Sequence, residues 1–162
     1  MNDSPQQDTV CVQPTFTRQT MELQDRILED LGKTLGVNLT FDEHNQCLIS
    51  LDKKTFISIR KQEKGLLFYG MLVELSNPPN VNVLECSLSL NLNLTEANQG
   101  TIVLDERTNV LMLLKAVHTE ITAFELEKVL ADFANSVENV TQLLAAIPRG
   151  DSTNANDSLA FA

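Results

Sequence analysis

At 162 residues the chain suits one domain with a real core and is short for two. Apolar residues make up 43% of it, which argues against overall disorder. The net charge is −10 and the pI is near 4.5, so phosphate backbones and anionic headgroups are poor partners, and neither nucleic acid nor membrane is expected.

Cys11, Cys47 and Cys86 have no metal or redox spacing and read as small buried hydrophobes in a reducing compartment. Met1 to Gln13 holds two acids, no base and no apolar run, unlike a secretory signal. No stretch approaches the roughly 18 apolar residues of a membrane span.

Residues 1–17 read as a flexible polar arm, 18–148 as the folded domain and 149–162 as a disordered tail ending in Leu159 and Phe161. Thr20 to Leu35 follows helical spacing. Leu23, Ile27, Leu31 and Leu35 recur at i, i+4, Leu28 widens the stripe, and charged residues take most of the rest. Gly36 is placed to end this helix as a left-handed cap.

A β region follows. Leu39 to Phe41 is extended, and Asp42 to Gln46 is a polar turn. Cys47–Leu51, Phe56–Arg60 and Gly65–Leu75 read as strands, with turns at Asp52–Lys54 and Gln62–Gly65 between them. Such short connections imply an antiparallel meander. Asn77-Pro78-Pro79-Asn80 stops the sheet. Val81, Leu84 and Leu88 fit a short helix over about 81–90, and the strict alternation of Leu88, Leu90, Leu92 and Leu94 predicts an extended run after it.

Ile102–Leu104 and Val110–Val117 form a second strand pair around the Asp105–Asn109 turn. The last helix has the strongest signal. Thr122 and Glu125 make a capping box, Leu126, Leu130, Phe133, Val137, Val140, Leu144 and Ile147 form its stripe, and Pro148 and Gly150 end it. The order α-β-β-β-α-β-β-α predicts an α+β fold, a twisted antiparallel sheet packed against helices.

In that order several segments resemble the class I type III secretion chaperones, the Tir-chaperone-like family. Leu31-Gly32-Lys33-Thr34-Leu35-Gly36 resembles the family's helix-ending L-G-x-x-L-G. Phe41-Asp42-Glu43 with Asn45, Cys47, Leu51 and Asp52 resembles its turn and first strand. Leu67-Phe68-Tyr69-Gly70 with Leu75, then Leu88 with Asn91-Leu92, then Gly100 to Glu106, then Leu126-Glu127 with Leu130 and Phe133, resemble its later elements. The likeness covers about residues 20–147. It implies a homodimer in the bacterial cytoplasm that binds the unfolded N-proximal segment of a secreted effector and keeps it ready for export. The secretion ATPase is a further candidate partner. The polar arm and the tail depart from the family pattern.

The residues offer little for catalysis. His44 lies in a polar turn and His118 before the last helix, and nothing local supports a dyad of His118 with Cys47 or Cys86. Asp42-Glu43-His44 reads as a loop rather than a metal site, and Gly32 and Gly36 lack the lysine and strand of a phosphate loop. No enzyme, metal or cofactor is expected.

The interaction surfaces are expected at two places. Cys47–Leu51 should lie at a sheet edge, uncharged, with Lys53 and Lys54 only beyond it. An effector segment is expected there, on Leu28, Leu31, Leu48, Phe56, Ile57 and Ile59. The charge-poor segment with Val81, Val83, Leu84 and Leu88 is expected to form the dimer interface. A regulatory module of the same fold with a folded partner is the alternative reading.

Overall fold

A computed structural model describes residues 16–52, 54–118 and 120–148. The expected arm up to residue 15, the tail from 149, and Cys11, Lys53, Leu159 and Phe161 lie outside the described residues. Helix α1 spans Phe16–Leu35, strands β1, β2 and β3 span Gln46–Leu51, Thr55–Gln62 and Gly65–Glu74, and helix α2 spans Val81–Glu96. Strands β4 and β5 span Thr101–Asp105 and Val110–His118, and helix α3 spans Ala123–Ala145. The expected α+β order is the observed one. Helix α1 begins four residues before Thr20, inside the segment expected to be arm.

The five strands form one antiparallel sheet in the order β1-β2-β3-β5-β4. Two edges result, β1 and β4. Cross-strand pairing divides the side chains into two faces. One face carries Cys47 and Ile49 of β1, Ile57 and Ile59 of β2, Phe68 and Gly70 of β3, Leu113 of β5 and Ile102 of β4. All of these except the glycine belong to the buried core.

Helices close that face. The ring of Phe68 meets Phe133 of α3 edge-on, with centroids 5.6 Å apart. Gly70 leaves room for Val137 of the same helix. Helix α1 is tied to the β2–β3 turn by Gln24, fully buried, whose Nε2 donates to the carbonyls of Gln62 and Gly65 at 2.5 and 2.7 Å. Asp25 adds an ion pair with Lys61 at 2.5 Å, and the Lys61 ammonium lies 4.7 Å from the Phe41 ring centre. Gly36 ends α1 at φ 70°, the left-handed cap expected there.

The extended run expected after residue 90 is instead helix, since α2 is continuous to Glu96. Its alternating leucines fall on two ridges, because positions four apart coincide on a helix while positions two apart lie on nearly opposite sides. Leu90 and Leu94 join buried Val83 and Ser87 against the core, whereas Leu88 and Leu92 are 72% and 64% exposed. Alternation here marks a helix with two apolar sides.

Candidate functional site

The opposite face of the sheet is built by the other phase of each strand. Leu48 and Ser50 of β1 pair with Ser58 and Phe56 of β2, and Ser58 and Arg60 pair with Tyr69 and Leu67 of β3. Met71 comes one residue after Gly70, the partner of Ile57, and so lies beside Phe56. Leu48, Phe56 and Met71 are 66%, 50% and 53% exposed, Tyr69 is half-buried and Leu67 is buried. A sheet normally hides one apolar face. This one is apolar on both, and among the described residues its three helices attach to the other side or to the β4 edge.

The two edges differ. At β4 the side chain of Asn91 from α2 occupies the backbone: Nδ2 donates to the Ile102 carbonyl at 3.1 Å, and the Ile102 N–H donates to Oδ1 at 2.5 Å. At β1, among the described residues, only the ends are engaged: the Asp42 N–H donates to the Gln46 carbonyl, the Gln46 N–H donates to Asp42 Oδ1 at 2.9 Å, and the Lys54 N–H donates to the Leu51 carbonyl. Among the described residues nothing hydrogen-bonds the backbone of Cys47 to Ser50 from outside the sheet. Among the described residues β1 is therefore an edge without an outside partner, at the edge position and uncharged along its length as the sequence predicts.

Of the residues expected to hold a partner, Leu48 and Phe56 lie on the open face. Leu28, Leu31, Ile57 and Ile59 do not: each is 0% exposed and belongs to the core. The reason is strand parity. A strand that turns Phe56 outward must turn Ile57 and Ile59 inward, and the helix stripe containing Leu28 and Leu31 is spent on the same core. Met71, Tyr69 and Arg60 share the open face and were not among the residues expected there. Their shared alternation with Phe56 across the expected meander was the available signal.

Of the residues expected at a dimer interface, Val83 is buried within the chain, Leu84 is half-buried, and Val81 and Leu88 are exposed. Leu92 extends the same outward ridge. Among the described residues no group of three or more His, Cys, Asp or Glu is placed to hold a metal, and no helix is long and apolar enough to cross a membrane. Burial pushes the Cys47 thiol up, an effect partly offset by a hydrogen bond with the Thr40 backbone, so its thiolate is disfavoured.

A sheet closed by helices on one face, apolar on the other and open at one edge defines a protein suited to binding polypeptide. Residues 26–141 match the model of the Tir chaperone protein (CesT) family, and the chain belongs to that family.

Solved structures share the fold. A chain of the HopA1–SchA chaperone–effector complex superposes with a TM-score of 0.67 at 18% identity, covering 76% of this chain and 97% of that one. The ExsC–ExsE complex gives 0.64 at 18% identity, covering 79% and 95%. The Yersinia pestis type III secretion chaperone SycH, in complex with a stable fragment of YscM2, gives 0.57 at 18% identity, covering 72% and 98%.

Proposed function

We propose that this protein is a type III secretion chaperone. As a homodimer in the bacterial cytoplasm it binds the non-globular N-proximal segment of a secreted effector and keeps it soluble and competent for export. It does so by binding alone, with no catalytic step, and the secretion ATPase is a further candidate partner.

The observation that supports this reading best is the β1 edge, uncovered among the described residues, beside the open apolar face. An added strand finds main-chain partners along Cys47 to Ser50 whatever its sequence, and its alternate side chains lie beside Leu48, the near end of an apolar face that continues through Phe56 and Met71. A client ordered only on binding gives up conformational entropy, so a large wrapped surface is needed for useful affinity. A dimer doubles that surface. The outward ridge of α2, with Val81, Leu88 and Leu92, supports a second copy as its cover.

The test is a pull-down from the native host with the bound segment mapped by limited proteolysis. The expected partner is a segment without a globular fold of its own, lost from Leu48→Asp and Phe56→Asp variants that keep their melting temperature and dimeric state. Capture of an intact folded domain would instead favour the regulatory-module reading. Wild-type client binding by both variants would remove the face from the site.

A further inference from the structure

The open face is apolar but not neutral. Its β1–β3 portion, from Gln46, Leu48 and Ser50 through Phe56, Ser58 and Arg60 to Leu67, Tyr69 and Met71, holds one charged residue, Arg60. The Arg60 guanidinium stands 5.8 Å from the centre of the Tyr69 ring, and among the described residues no carboxylate lies within ion-pair distance of it. Sequence context reinforces the sign. Residues 53–64 hold five of the chain's 12 bases and one of its 22 acids. Lys61 is spent on Asp25, while Lys54 and Lys64 are exposed in the turns at the two ends of β2. The protein as a whole carries −10. A local basic site on an apolar face is therefore set against the net charge of the chain.

We infer that the segment bound on this face is acidic as well as apolar, with an Asp or Glu carboxylate received by Arg60 while its alternate apolar side chains cover Leu48, Phe56 and Met71. The inference rests on the client-binding reading of this face. Arginine suits the role, because its planar fork donates two parallel hydrogen bonds to a carboxylate while the guanidinium stays within cation–π range of the Tyr69 ring. Apolar neighbours strengthen the pairing by lowering the local dielectric. A neutral or basic segment would leave the guanidinium covered and unpaired, which is costly. Charge thus selects among clients whose apolar pattern is similar.

Whole-molecule electrostatics makes the opposite prediction, since an acidic chain should attract basic peptides. The test uses three fluorescein-labelled synthetic peptides of about twelve residues that alternate Leu and Ser and differ only at two positions, held by Glu, Gln or Lys. Fluorescence anisotropy should rank the full-length protein's affinities Glu, then Gln, then Lys, with about a tenfold step between Glu and Gln that shrinks at high salt. Arg60→Gln should erase the step and Arg60→Lys should keep part of it, both at an unchanged melting temperature. Tighter binding of the Lys peptide, or equal binding of all three, overturns the inference. If Leu48→Asp still abolishes binding in that case, the client face itself stands. Loss of the step in a destabilised Arg60 variant is set aside in favour of Arg60→Lys, whose failure to keep any preference also overturns it. Conversion of dimer to monomer by the Glu peptide in light scattering assigns the face to a second copy and overturns it too. Binding of none of the peptides counts against both the inference and the face.

Discussion

Gly70 meets Val137 with no space for a methyl group: a Cβ on Gly70 would stand 2.3 Å from Val137 Cγ2. The glycine sits mid-strand, where it weakens β3 on its own account, so its use here is to admit α3 to the sheet.

Gly70→Ala should destabilise the protein by about 1–3 kcal/mol through overpacking. In a Val137→Ala background, which vacates the clash, the same change should cost far less. A double-mutant cycle by urea unfolding checks this. Additive costs would show that the two residues do not share the strain.

Asn91 should matter to the β4 edge and not to β1. Replacing it by leucine leaves the N–H and carbonyl of Ile102, itself a core residue, without their partners, at a cost of about 1–3 kcal/mol. Native-state hydrogen exchange should quicken at the Ile102 amide and stay unchanged at Ile49. Unaltered protection at Ile102 would mean that the edge is held by something other than Asn91.

Elements were legible in the sequence where a local signal was unambiguous. Thr122 and Glu125 fix the start of α3, and the turns at Asp42–Gln46 and Asp105–Asn109 fix the strands beside them. The signal failed where one pattern has two physical readings. Alternation of Leu88, Leu90, Leu92 and Leu94 is a strand if half-buried and a two-sided helix if not, and nothing local separates these. The same ambiguity put Ile57 and Ile59 on the expected partner surface, whereas both are buried in the core. Phe56, Ile57 and Ile59 are all apolar, so the strand's phase was visible but its inward side was not. Pairing of β3 with β5, which leaves β1 and β4 as the edges, is a long-range choice that no single segment encodes.

The two ridges of α2 predict a separation of effects. Leu88→Arg and Leu92→Arg put charge on the outward ridge and should yield a folded monomer, read by light scattering, with its melting curve nearly intact. Val83→Ala acts on the inward ridge and should cost about 2 kcal/mol of stability while the dimer persists. An intact dimer in both arginine variants would exclude this ridge from the interface.

The capping box of α3 gives a pH dependence of known sign. The Thr122 N–H and hydroxyl donate to Glu125 Oε2 at 2.8 and 2.9 Å, and the Glu125 N–H donates back to Thr122 Oγ1 at 3.2 Å. The backbone donor of Thr122, followed by its hydroxyl, holds the Glu125 carboxyl below its ordinary value of 4.5. Unfolding removes both donors, so the unfolded chain takes up this proton at higher pH than the folded one. The charge-dependent part of the cap is therefore complete above about 4.5 and is lost as pH falls through the lower, folded value. Glu125→Gln keeps an acceptor for the cap and removes the charge. The stability difference between wild type and this variant should be constant from about pH 7 to 5.5 and shrink steadily below about 4.5. Asp105, lowered by the Thr108 hydroxyl and then by the Arg107 N–H, titrates in the same acid range, but it is present in both proteins and cancels in the difference. Parallel stability curves across that range, from urea unfolding at each pH, would show that the box holds the helix by shape alone.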